Sequence, residues 1–85
     1  MTLDELRGRW NDILDLLERT DRIAWMAFFD ARLASLENSE LLLDFSDARK
    51  FGGAHEYAPV RARHIELLET AIRDVTGQAL KVAEL

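Results

Sequence analysis

The stretch Arg32-Leu33-Ala34-Ser35-Leu36-Glu37-Asn38-Ser39-Glu40-Leu41-Leu42-Leu43-Asp44-Phe45 decides the fold class. Two runs of strand character, Arg32 to Glu37 and Leu41 to Phe45, flank Asn38 and Ser39, residues that favour tight turns. In the second run Leu41, Leu43 and Phe45 alternate with Leu42 and Asp44, so one face is apolar throughout. The stretch predicts a β-hairpin. Leu42 is an unusual residue for the other, solvated face.

Helical periodicity surrounds the hairpin. Upstream, Thr2 and Glu5 have capping-box spacing. Leu3, Leu6, Trp10, Ile13, Leu14 and Leu17 recur every three or four residues, which predicts a helix ending near Arg19. Thr20 then reads as a second N-cap, with Asp21 in the first turn. From Ile23 to Phe29 the chain is almost unbroken in its apolarity. That predicts a short helix buried on more than one side, or with one side covered by a partner.

Downstream, Ser46 to Ala58 is irregular, with one helical turn expected over Asp47 to Phe51 and a break at Gly52-Gly53. Pro59 suits the first turn of a new helix. Val60, His64, Leu67, Leu68, Ala71, Ile72 and Val75 form its apolar stripe, and Gly77 fits its C-terminal stop. Gln78 to Glu84 reads as a last strand with Leu80 and Val82 inward. The order helix, helix, strand, strand, helix, strand predicts an α+β fold, a small three-stranded sheet backed by helices on one face.

Composition sets the outer bounds. The 85 residues predict a single domain over 1–85. There is no cysteine, which excludes disulfides, thiolate metal sites and cysteine nucleophiles. No leader pattern and no membrane-length apolar run is evident, so a cytoplasmic setting is expected. The net charge of −5 opposes non-specific nucleic-acid binding by the molecule as a whole. The charge is uneven, however. Between residues 49 and 64, Arg49, Lys50, Arg61 and Arg63 stand against Glu56 alone, a net +3; the remaining 7 basic and 15 acidic residues leave −8.

No constellation of catalytic type stands out. His55 and His64 lie nine apart with Glu56 beside the first, a spacing that does not converge on a metal. The carboxylates are scattered, and Glu69 with Arg73 has the spacing of a surface ion pair. Ser35, Ser39 and Ser46 fall at strand or turn positions with no histidine–acid order around them. Gly52-Gly53 lacks the Lys-Ser/Thr of a phosphate loop and the G-x-x-G of a nucleotide clamp. The expectation is therefore a domain without enzymatic activity, cofactor, metal or small-molecule substrate. Two binding surfaces are predicted instead. One is the basic run Arg49, Lys50, Arg61, Arg63 with His64, for nucleic acid or a partner. The other is an apolar patch of Trp25, Phe29 and Leu42 for a protein.

The order and spacing of these features resemble the C-terminal domain of the gamma/tau subunit of bacterial DNA polymerase III in its actinobacterial form. Trp10-Asn11-Asp12-Ile13-Leu14 resembles its opening helix, and Ala24-Trp25-Met26 with Ala31 its second. Leu36-Glu37 through Leu41-Leu42-Leu43-Asp44-Phe45 is similar to its hairpin, with Phe51 where a further phenylalanine tends to fall. Ile65-Glu66 and Ala71-Ile72-Arg73-Asp74-Val75-Thr76-Gly77 resemble its long helix and glycine stop. The resemblance implies a truncated KH-like fold and a place in the clamp loader, joined by protein contacts to polymerase or helicase subunits. The ATPase and Pro-rich linker of the full subunit have no counterpart in these 85 residues. The alternative expectation is a KH-like module that binds single-stranded nucleic acid through residues 49–64.

Overall fold

A computed structural model describes residues 1–46 and 58–85. The expected turn at Asp47 to Phe51, the Gly52-Gly53 break and His55 lie outside the described residues. Among the described residues, three helices and a three-stranded mixed sheet follow in the order α1 (Leu3–Thr20), α2 (Arg22–Phe28), β1 (Arg32–Glu37), β2 (Glu40–Asp44), α3 (Ala58–Thr76) and β3 (Lys81–Glu84). This is the α+β architecture that the sequence predicts.

Helix α1 starts on the full capping box. The Thr2 hydroxyl accepts from Glu5 N at 3.1 Å, and the Glu5 carboxylate accepts from Thr2 N at 2.9 Å. Leu6, Trp10, Ile13, Leu14 and Leu17 are its buried stripe. The joint to α2 differs from the expectation in one residue. Thr20 is the last residue of α1, its hydroxyl bonded back to Leu16 O at 2.8 Å, and Asp21 is the cap. The Asp21 N–H closes α1 on Leu17 O at 2.8 Å. Its carboxylate then accepts from Ile23 N at 2.9 Å and Ala24 N at 3.2 Å. A carboxylate beside the positive end of a helix outcompetes a hydroxyl for this position. Asp21→Ala should therefore lower stability by about 1–2 kcal/mol, more than an ordinary surface change. A urea midpoint indistinguishable from the parent would contradict this dual role.

The hairpin turn places Asn38 at φ 52° and Ser39 at φ 62°, the pair of left-handed residues that a two-residue turn of type I′ requires. β1 runs antiparallel to β2 with Leu33 opposite Leu43 and Leu36 opposite Leu41. Leu33 and Leu36 are three apart, so a regular strand would send them to opposite faces. A bulge between Leu33 and Ser35 inserts one residue and returns both leucines to the apolar side.

β3 pairs in parallel with the other side of β2, giving the order β1-β2-β3 with β2 central. Helix α3 makes the crossover and ends at Gly77, whose N–H closes the last turn on Arg73 O at 2.8 Å and whose φ of +78° turns the following chain out of the helix. All three helices lie on one face, where Leu41, Leu43, Phe45, Leu80 and Val82 join the helical stripes in a single core.

Side chains from the helices also reach both outer strands. Arg7 of α1 donates to Leu33 O at 3.4 Å. Glu69 of α3 accepts from Val82 N at 2.9 Å, rather than forming the surface pair with Arg73 that its spacing suggests. A side chain bonded to an edge-strand amide occupies a position that another chain could otherwise use.

Candidate functional site

The two surfaces expected from the sequence are reorganised by the fold. In the basic run, Arg49 and Lys50 lie outside the described residues. Arg63 is exposed on the first half of α3. Arg61 is not on the surface, being only 3% exposed. Its guanidinium meets the Glu84 carboxylate at 2.7 Å and stands 3.9 Å over the centre of the Phe45 ring. A cation held this way binds β3 and the end of β2 to α3, and is not presented to phosphate. The helical period explains the difference: Arg61 falls on the same side of α3 as the buried Leu68 and Ile72, whereas Arg63 is turned outward.

His64 is half-buried on the adjacent part of α3. Its Nδ1 lies 2.8 Å from Val60 O, an acceptor only, so Nδ1 carries the proton there. Its Nε2 sits 3.8 Å from the second carboxylate oxygen of Asp21. The ring thus lies between α3 and the α1–α2 joint.

Of the apolar patch, Trp25 and Phe29 come together and Leu42 does not join them. Trp25 and Phe29 stack at 4.6 Å with their planes 20° apart. They lie one turn apart on the outward side of α2, because Ala24, Ala27 and Phe28 take the inward side. Met26 is half-buried beside them, and Ile23 is 61% exposed. Leu42 sits on the opposite face of the sheet from the helices, since strand alternation turns it away from Leu41 and Leu43. There it is flanked by Ser35 and Ala83 on the neighbouring strands.

That open sheet face is otherwise charged, with Arg32 opposite Asp44 and Glu40 opposite Lys81. The Asp44 carboxyl is held below its ordinary value, first by the Ser46 N–H at 2.8 Å, then by the Ser46 hydroxyl, with the Arg32 charge adding.

One further feature arises only where α1 packs on β1. Between α1 and β1 a cleft of about 430 Å³ is lined by Arg7, Trp10, Asn11, Ala31, Arg32 and Leu33. Arg7 and Asn11 are one turn apart on α1, a spacing legible in the sequence. Arg32 is remote in the chain and joins them only through packing.

Among the described residues, no three His, Asp or Glu side chains gather as a metal site would need, and no helix is long and apolar enough to cross a membrane. No family model, curated protein or solved structure matches this chain.

Proposed function

We propose that this chain is a non-catalytic protein-interaction domain that receives its partner on the outward side of α2. The observation that carries this reading is the partly buried Trp25–Phe29 stack, with Ile23 standing 61% exposed on the same short helix. Ala24, Ala27 and Phe28 fill the buried side of α2, while Trp25 and Phe29 pack at the margin of the core with part of each side chain exposed. Stacked, partly exposed aromatics of this kind become binding hot spots once water is excluded around them.

The resemblance to the gamma/tau C-terminal domain supplies the partner class. The domain would tether replisome components in the cytoplasm, with polymerase or helicase subunits as its partners and no turnover of its own. The nucleic-acid alternative is weaker on the same geometry, because the Arg61 guanidinium is committed to Glu84 and Phe45.

The test is recovery of polymerase III and replicative helicase subunits, identified by mass spectrometry, from source lysate on the immobilised domain. Trp25→Ala with Phe29→Ala should weaken that recovery by a factor of about 30 or more, the loss of at least one hot spot. Equal recovery by the parent and this variant would refute the docking face. Absence of any replisome subunit from the parent's eluate would refute the partner class.

A further inference from the structure

We propose that the outer edge of β3 pairs with β3 of a second copy of this chain across a two-fold axis, and that Glu69 governs the pairing. The edge is open by its hydrogen bonding. Lys81 N and Leu85 N donate to Ser39 O and Leu43 O, each at 2.8 Å, so these amides point toward β2. Alternation along the strand then turns the N–H and C=O of Val82 and Glu84 outward. On that side the Val82 N–H meets only the Glu69 carboxylate, at 2.9 Å. The Glu84 N–H has no acceptor among the described residues. The opposite edge is less suited, because β1 carries a bulge and its Leu33 O already accepts from Arg7.

A second copy is the occupant because the edge and the helix beside it are self-complementary in charge. Glu66, Glu69 and Arg73 share one side of α3 and line, with Leu80 and Lys81, a groove of about 330 Å³ along β3. The helix follows the strand in reverse order. Arg61 meets Glu84, Glu69 meets Val82, and Arg73 shares the groove with Leu80. Glu66, between Arg61 and Glu69, therefore lies toward Glu84. An antiparallel pairing with Val82 opposite Val82 of the second copy sets Glu84 against Leu80 of the second copy. The same axis brings Glu66 to Arg73 of the second copy, and Arg73 to Glu66 of the second copy. Both side chains are exposed, and neither makes an ion pair among the described residues.

Glu69 stands at the axis of this arrangement. Its carboxylate holds the amide that the second copy would use, and two such carboxylates would face each other there. Pairing thus requires Glu69 to turn away, and Arg73, four residues on, is placed to receive it. The bond to Val82 N belongs to the single chain, and the Glu69–Arg73 pair that the spacing suggests belongs to the dimer.

Sedimentation equilibrium from about 10 μM to about 1 mM protein reads the pairing. Glu69→Ala removes the competing acceptor and the like charges at the axis, and should tighten the dimer at least about tenfold over the parent. Glu69→Gln keeps an acceptor for the Val82 N–H and serves if the alanine variant unfolds; it should tighten the dimer about threefold. In either background Arg73→Glu should weaken pairing about tenfold, and adding Glu66→Arg should restore it. Hydrogen exchange at the Glu84 amide should slow on dimerisation. Monomers at about 1 mM in both Glu69 variants would overturn the proposal. So would a dimer that ignores Arg73→Glu, one that Glu66→Arg fails to restore, or one that leaves the Glu84 amide unprotected.

Discussion

Phe28→Ala should cost about 4 kcal/mol of the domain's stability. Phe28 is fully buried on the inward side of α2, and its ring meets that of Phe45 at 6.4 Å and 52°. Truncation removes the transfer free energy of the ring and leaves a cavity that neighbours from three elements cannot collapse to fill. A domain of this size is stable by roughly 4–13 kcal/mol, so the loss takes a large share. The urea midpoint is the measurement. A shift worth less than about 2 kcal/mol would mean that α2 is held by something other than its inward face. Trp25→Ala and Phe29→Ala on the outward side should each cost clearly less, since their rings are partly solvated already. This contrast between adjacent aromatics separates core from docking face without any partner present.

The second large effect is an asymmetry across the Arg61–Glu84 pair. Glu84→Ala should cost about 3 kcal/mol, whereas Arg61→Met should stay within about 1 kcal/mol of the parent. The two side chains are buried very differently, 4% exposed for Arg61 and 33% for Glu84. Removing Glu84 takes a 2.7 Å carboxylate partner from a cation that water cannot reach. Removing Arg61 leaves a carboxylate that can turn outward, and methionine keeps an unbranched apolar chain over the Phe45 ring. The double variant should fall near Arg61→Met alone, a coupling that a double-mutant cycle in urea would measure. Equal costs for the two single changes would show that the pair's charges contribute little and that only the arginine stem matters. Because the pair is shielded, the cost of Glu84→Ala should persist at high salt.

The pair also shows where sequence reasoning stopped. Arg61 and Arg63 read alike as members of a basic run, yet the helical period sends one into the core and the other into water. The stripe of α3 and the side of it on which Arg61 falls are legible from the period, but its burial is not. Whether an arginine there is buried depends on a carboxylate arriving from β3.

Leu33 and Leu36 pose a similar problem. Their spacing of three fits one face of a helix and not one face of a regular strand, and the bulge that reconciles them is set by the register with β2. Asp21 reads from the sequence as a favourable first-turn acid, while its role as the cap depends on how α1 ends.

What the sequence determined by itself is local. Periods of 3.6 and 2, the capping box at Thr2, the turn residues Asn38-Ser39 and the stop at Gly77 specify the elements and their order. Each depends only on residues within about one turn of one another. The apolar alternation of Leu41, Leu43 and Phe45 likewise settles which face of β2 is buried. The tertiary structure decided what meets what: Arg61 under Glu84, Leu42 parted from Trp25 and Phe29, and Arg7 and Asn11 brought to Arg32. Those are contacts between elements distant in the chain, fixed by how their surfaces pack, and no local pattern records them.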